Sequence, residues 1–334
     1  SKADELIRVA KDLRFLFRLL NLSPLGAYAV SGAPEVDGIG VDRQLTARLL
    51  GFEGVIDNTI DAISSRGELA LRFLYVLNSL MVLYLSRLCE DIIVWSSLGT
   101  IKVGEGFTTG SSAIPQKVNP DVAELIRAKA GRVLGNLIKI ATICKALPTA
   151  YNRDFQEIKP ALIESIELVK GTISVMSRMV RAIRPDKERM AGILSDSWSS
   201  ASDLVNAIAI RYEVPYRKAY LIVKGLTKGK SLERASMDVL GRSIAMSERE
   251  LSDIIDPMKS IVRRKLPGGP SPVEVTKGIA RRLRKLDALE NWFAERSKEI
   301  GESLSTLESL VSDIVKNKGI DEESVKILKE VRAK

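Results

Sequence analysis

The stretch from about Gly67 to Trp95 constrains the fold more than any other, because it is apolar on nearly every face. A helix of about 28 residues spans about 42 Å. One with so few polar positions has to be covered by other helices, so a bundle core is expected. Arg72, Asn78 and Ser79 interrupt its most apolar part, Leu69 to Leu85, which argues against a membrane span. Two further long helices are expected, from Pro120 to about Leu147 and from about Glu157 to Ile183. Near the start, Leu6, Ile7, Ala10, Leu13, Leu16, Phe17 and Leu20 fall on one face of a helix over Ala3 to Leu20. A short helix is expected from about Asp42. Beyond Pro185 short helices are separated by Pro215, by Gly225–Lys230 and by Pro267-Gly268-Gly269-Pro270. No short-period strand–turn rhythm is present. The expected fold class is all-α, a long-helix bundle with a smaller C-terminal helical domain.

Helix length and composition shift around 185–195, which places a boundary there. The expected domains are a central helical bundle over 1–190, a C-terminal helical domain over 191–286 and a helical extension over 287–334. The first helix begins at Ala3 without a capping residue, as though in mid-course.

Composition restricts the chemistry. The chain contains no histidine, which excludes a Ser-His-Asp triad, a Cys-His dyad and any His-ligated metal within it. Acid–base work must therefore use carboxylates, Lys, Tyr, Ser or a group from another chain. Cys89 and Cys144 sit inside apolar helical stretches and read as core hydrophobes of a reducing compartment. Together with the lack of a signal peptide, this suggests a cytoplasmic protein with no membrane association. Net charge is +9, with eight Lys/Arg against the single acid Glu274 between Arg263 and Lys285. Little aromatic residue is interleaved there for base stacking. The favoured reading is a solvated face or a field that attracts anionic metabolites, with no nucleic-acid partner.

The segment Thr108-Thr109-Gly110-Ser111-Ser112-Ala113-Ile114-Pro115-Gln116-Lys117-Val118-Asn119-Pro120-Asp121 stands apart from its surroundings. Gly104, Gly106 and Gly110 are expected to make it mobile, and hydroxyls cluster around the last of them. Lys117 and Asn119 precede a long helix whose first turn opens with Pro120. Unpaired amides, partial positive charge, a Lys and an Asn amide together suit a carboxylate. The residues alone fit equally well a polar surface loop with Asn119 as an ordinary N-cap.

This segment resembles the central signature GSSxMPxKxNP of the fumarase/aspartase superfamily, with Ile114 in place of the usual Met. Gln116 and Asp121 are closest to its argininosuccinate lyase branch. So is Leu147-Pro148-Thr149-Ala150-Tyr151-Asn152-Arg153-Asp154-Phe155-Gln156-Glu157-Ile158-Lys159, which resembles LPLAYNKDLQEDK of that branch. Segments upstream, including VDRQLTARLLGFEGVIDNTIDAIS, are similar too. The resemblance covers about Leu13 to Leu286.

The resemblance implies β-elimination of argininosuccinate to arginine and fumarate, in arginine biosynthesis, without metal or organic cofactor. It implies that Ser111 is the base that removes the Cβ proton. Lys117 and Asn119 would hold the substrate carboxylate and stabilise the aci-carboxylate. Glu124, one helical turn beyond Pro120, would orient a catalytic histidine of a neighbouring subunit. Tyr151, Gln156 and Lys159 would hold the amino-acid end of the arginine moiety, and Thr109 and Ser112 would line the loop. Family active sites combine three segments from three subunits of a homotetramer. Only the third segment is recognisable here, so the 334-residue chain alone is expected to be inactive. Two alternatives remain: a non-catalytic structural relative, or another fumarate-releasing lyase such as adenylosuccinate lyase.

Overall fold

The computed structural model describes residues 2–36, 40–115, 118–196, 198–317 and 319–333. Helices α1 (Lys2–Leu20), α2 (Arg43–Leu49), α3 (Thr59–Ser64) and α4 (Arg66–Asn78) come first. Helix α4 passes without a break through a π-helical turn, Ser79–Leu85, into α5 (Ser86–Ser97). The long rods α6 (Asp121–Cys144) and α7 (Ile158–Ala182) follow. Next come the short helices α8 (Lys187–Asp196), α9 (Ala201–Arg211), α10 (Tyr216–Leu226), α11 (Leu232–Leu240), α12 (Glu248–Ile255) and α13 (Pro257–Arg263). A 46-residue helix, α14 (Pro272–Asn317), and α15 (Glu322–Ala333) complete the chain. Among the described residues, ladder strands are two residues long and only pin loops. These are β1 (Leu22–Ser23), β2 (Gly54–Val55), β3 (Ile101–Lys102), β4 (Thr109–Gly110), β5 (Val118–Asn119) and β6 (Arg184–Pro185). Strands β1 and β2 pair in parallel, and β3–β6 and β4–β5 pair antiparallel. The fold is all-α.

The chain divides into two compact units. The first comprises Ser1–Val94, Val103–Ile183 and Arg284–Lys334, and the second Trp95–Lys102 and Arg184–Leu283. In the first, the 66–97 run is the central rod, packed by α1, α6 and α7. By length and composition it is apolar enough to cross a membrane. Its inner stripe, Leu74, Leu77, Met81, Leu85, Cys89 and Ile92, is nevertheless buried against protein. Facing it are Ala123, Ile126, Ala130 and Val133 of α6, at the i, i+3, i+4 spacing that a helix stripe requires.

The π turn departs from the uniform helix that the sequence suggests, and two polar side chains account for it. Asn78 lies in the core, where its Nδ2 donates to Leu74 O (3.0 Å) and to Val133 O of α6 (3.2 Å). Ser79 Oγ donates to Tyr75 O at 3.0 Å. Both side chains occupy carbonyls of the preceding turn, and the ladder widens to the π register beyond them. At the far end the Ser86 amide reaches back to Met81 O.

On α1, Ile7 and Leu16 are buried as the periodicity suggests, whereas Leu6 and Leu20 are exposed. Its partner is α14: the Trp292 ring meets Phe17 edge-on at 5.3 Å, with the Arg14 guanidinium 4.9 Å above Trp292. Helix α15 docks on α2, where Arg48 donates to Val331 O at 3.2 Å and Arg332 pairs with Asp42 at 3.1 Å. In the second unit α9 to α12 enclose a separate core, including Leu204, Ile208, Ala219, Ile222 and Ala235.

Candidate active site

Strands β4 and β5 close the 109–119 segment as a hairpin, with Thr109 opposite Asn119 and Gly110 opposite Val118. It stands directly on the first turn of α6. Pro120 is buried at the cap position, and among the described residues it brings no side-chain cap to the first turn. The helix therefore keeps free amides and positive partial charge beneath the hairpin. Thr109 Oγ1 donates to the Asp121 carboxylate, which ties the base of the hairpin to that turn. Within the loop, Ser111 Oγ accepts from the amides of Ile114 (3.1 Å) and Ala113 (3.3 Å). Two amide donors on one oxygen favour negative charge at that point of the loop.

Ser112 and Glu124 are exposed, and Asn119 is half-buried. Glu124 lies one turn along α6 and has no side-chain partner among the described residues, so its carboxylate is available to an incoming group. Lys117 and the neighbouring Gln116 lie outside the described residues.

The second polar group forms at the other end of α6. After Cys144 the chain turns through Ala146 and Ala150, both at positive φ, and re-enters helix at Ile158. The Ala150 amide donates to Ser64 Oγ at 2.9 Å, and Asn152 Nδ2 donates to Pro148 O at 2.8 Å. Phe155 is buried. Gly67 of α4 permits this approach, because a Cβ there would come within 2.8 Å of Cys144 Sγ and 2.9 Å of a Phe155 ring carbon. On this base Gln156 Nε2 donates to Tyr151 OH at 3.2 Å, bringing two of the sequence-derived residues together. Lys159 is exposed in the first turn of α7.

The hairpin and the Tyr151 group are separated by the length of α6, whose 24 residues span about 36 Å. A substrate of amino-acid size cannot touch both within one chain. Sequence reasoning named the two groups without assigning them to opposite ends of a rod.

It also passed over two residues. The Arg66 guanidinium lies 5.5 Å from the Tyr151 ring centre and 5.7 Å from that of Phe155, placing a fixed positive charge beside the Tyr151 group. Asp121, quoted only as part of the signature, anchors the hairpin. Arg66 lies two residues beyond the matched upstream segment, which ends at Ser64, and no local pattern links it to Tyr151.

Two thiols flank this rod. Burial pushes the Cys89 thiol up to about 12, opposed in part by Arg127 of α6. Burial also raises Cys144, at the carboxyl end of the rod. Neither is an activated nucleophile. Among the described residues no three His, Cys, Asp or Glu side chains gather to hold a metal.

A family model described as Lyase matches residues 3–135. Proteins named argininosuccinate lyase are similar over most of the chain. The one from Methanothrix thermoacetophila is 36% identical over 316 residues, 91% of this chain and 64% of the relative. That from Pelotomaculum thermopropionicum is 38% identical over 278 residues, 80% of this chain and 59% of the relative. The chain thus spans about three fifths of the length of such relatives. Among solved structures, EDDS lyase in complex with formate superposes with a TM-score of 0.85 at 28% identity, covering 94% of this chain and 64% of that one. The class II fumarase of Schistosoma mansoni shares the fold, with a TM-score of 0.62 at 17% identity over 77% of this chain and 56% of that one.

Proposed function

This chain belongs to the fumarase/aspartase superfamily, and from that premise we propose that it supplies the elimination loop of an argininosuccinate lyase, releasing arginine and fumarate. The observation that supports the reading most is the placement of two polar groups at opposite ends of α6. A dicarboxylate-handling loop sits at one end and a guanidino-amino-acid clamp at the other. Each serves a different site when rods from several chains associate. The 66–97 run, α6 and α7 keep Tyr75, Leu83, Leu125, Ile138, Ile163 and Ile173 exposed, an apolar surface suited to burial in such an assembly. The partner in this reading is a second copy of the chain, and the assembly is a cytoplasmic homotetramer.

In the reaction, Ser111 as alkoxide takes the Cβ proton, and the electron pair moves into the adjacent carboxylate to give an aci-carboxylate. The first-turn amides of α6, Asn119 and Lys117 meet that second negative charge. Collapse of the aci-carboxylate forms the C=C bond of fumarate and breaks the C–N bond to the guanidino nitrogen, which takes a proton from a general acid. Tyr151, Gln156 and Lys159 hold the amino-acid end of the arginine moiety at the site to which they contribute. Thr109 sets the base of the hairpin and Ser112 lines it. Because these 334 residues include no histidine, the histidine that Glu124 would orient comes from outside them. Neither a metal nor an organic cofactor has a role in these steps.

The test measures fumarate release from argininosuccinate. The purified 334-residue chain is expected to show none. Addition of the separately expressed N-terminal third of the Methanothrix thermoacetophila relative is expected to restore it. Turnover by the chain alone would refute the need for an outside histidine. A mixture that cleaves adenylosuccinate and leaves argininosuccinate intact would refute the substrate.

A further inference from the structure

The densest positive charge in the chain lies outside the residues to which the proposed elimination gives a role. Pro257 to Leu283 carries seven Lys/Arg against one acid, Glu274. Within this stretch the turn from α13 to α14 walls an open cavity of about 510 Å³, lined by Arg263, Arg264, Lys265, Gly269 and Pro270, with Asp203 of α9.

The two guanidinium groups are held in place rather than loose on the surface. Asp203, the one carboxylate lining the cavity among the described residues, is mostly buried and pairs with Arg264 at 2.7 Å and Arg263 at 3.8 Å. Arg263 also donates to Asp253 O (3.0 Å) and Ile254 O (2.7 Å) at the carboxyl end of α12. One carboxylate set against three cations leaves the cavity with net positive charge. Glu274 is engaged elsewhere, accepting from Lys277 at 3.0 Å and from the Gly268 amide at 3.3 Å. Lys265 is exposed, and its Nζ has no partner among the described residues.

The backbone is fixed as firmly as the arginines. A Cβ at Gly269 would lie 2.5 Å from Arg264 O and 2.9 Å from Leu266 O, so the turn closes this tightly only with glycine. Next in sequence to the cavity wall, Ser271 is buried and its Oγ has no hydrogen-bond partner among the described residues. The residue after it, Pro272, opens the 46-residue α14, whose amino end favours negative charge.

We propose that the Arg263–Pro270 turn binds a phosphate group, carried by a small molecule such as a nucleoside phosphate or presented as inorganic phosphate. Adjacent guanidinium forks match the oxygens of a tetrahedral dianion, and Lys265 adds a point charge. Among the described residues no aromatic side chain lines the cavity, so they offer no platform on which the bases of a nucleic acid would stack.

The experiment is calorimetric titration of the full 334-residue chain with inorganic phosphate, with ADP and with fumarate. Saturable binding of phosphate or ADP is expected, with whichever binds tighter identifying the source, and weaker binding of fumarate. The Arg264→Ala/Lys265→Ala double variant is expected to bind about tenfold or more weakly, as the loss of charge-assisted hydrogen bonds implies. Because Arg264 also pairs with Asp203, Lys265→Ala alone serves as the variant that leaves every described side-chain contact intact, and it too should weaken binding. Lys228→Ala, on an exposed turn elsewhere, should bind as the parent does. The proposal fails if neither phosphate nor ADP binds, if Lys265→Ala and the double variant match the parent, or if fumarate displaces bound phosphate at equal concentration. It also fails if single-stranded RNA binds the turn and phosphate does not displace it.

Discussion

The two ends of α6 carry polar groups of similar size but hold them in opposite ways. At the amino end the hairpin rests on a two-residue ladder, the Thr109–Asp121 bond and the amides folded onto Ser111, and most of its residues are exposed. At the carboxyl end Phe155 is buried, Ser64 fixes the backbone at Ala150, and Arg66 covers two rings. Few buried contacts make a segment easy to rearrange locally, and many make it part of the global fold. The difference suits the proposed division of labour, in which proton transfer, which needs a loop that can close on substrate, belongs to the first end and recognition, which benefits from a rigid clamp, to the second.

The largest expected effect breaks the comparison at its chemical side. In the assembled enzyme Ser111→Ala should lower the elimination rate by about 10²–10⁴-fold, the range for a lost general base. Tyr151→Ala should act mainly through substrate affinity. Since α6 separates the two residues, chains carrying one substitution each should recover activity when unfolded together and reassembled. Each mixed assembly then holds some sites with both residues intact. No recovery on mixing would place both residues in the same site.

Stability should divide the two ends in the reverse order. Phe155→Ala removes a buried ring and should cost about 3–5 kcal/mol, visible as a lower denaturation midpoint. Ser111→Ala, at a half-buried position whose Oγ accepts two loop amides, should cost no more than about 0.5–1.5 kcal/mol. Equal losses from the two would mean that the hairpin is as deeply embedded as the clamp.

The thiols extend the contrast. Cys89 titrates near 12 in the folded chain against its ordinary 9.0. The native state therefore keeps a proton that the unfolded chain releases. Its contribution to stability is complete below pH 9 and is lost as pH rises towards 12. Stability measured across that window should fall, and should fall less in Cys89→Ser. At pH 8 a small alkylating agent should modify half-buried Cys144, at the carboxyl end, before Cys89, which should react only on unfolding. Modification of Cys89 first would show that the central rod opens more readily than its end.

The sequence made the rods legible because uniform apolar stripes at helical spacing have few other solutions. Structure and sequence agree on α6 and α7 to within a few residues. The hairpin was visible as a cluster of residues whose chemistry had no structural use, and the resemblance supplied its meaning. What escaped depended on contacts distant in sequence. The π turn arises where Asn78 reaches Val133, 55 residues away. The Arg66–Tyr151 stack crosses a similar gap. Residues 287–334 read as a helical extension of unknown role, until Trp292 is seen against Phe17 and Ile300 against Gly51. Periodicity reports which face of a helix is buried, not which partner buries it.

The smallest expected effect concerns the bond that keeps the hairpin on its helix. Thr109→Val keeps the shape and the β propensity of the position but removes the donor to Asp121. An exposed hydrogen bond of this kind contributes about 0.5–1.5 kcal/mol at most, so the thermal midpoint should hardly move. The elimination rate should nevertheless fall several-fold, because the same bond sets where Ser111 stands above the α6 amides. Gln156→Leu is the matching change at the other end. It breaks the bond to Tyr151 OH, but Arg66 and Phe155 still hold the ring. Its effect should be confined to KM, with kcat near that of the parent. If Thr109→Val left the rate unchanged while Gln156→Leu reduced kcat, the adaptable and rigid ends would have to exchange roles.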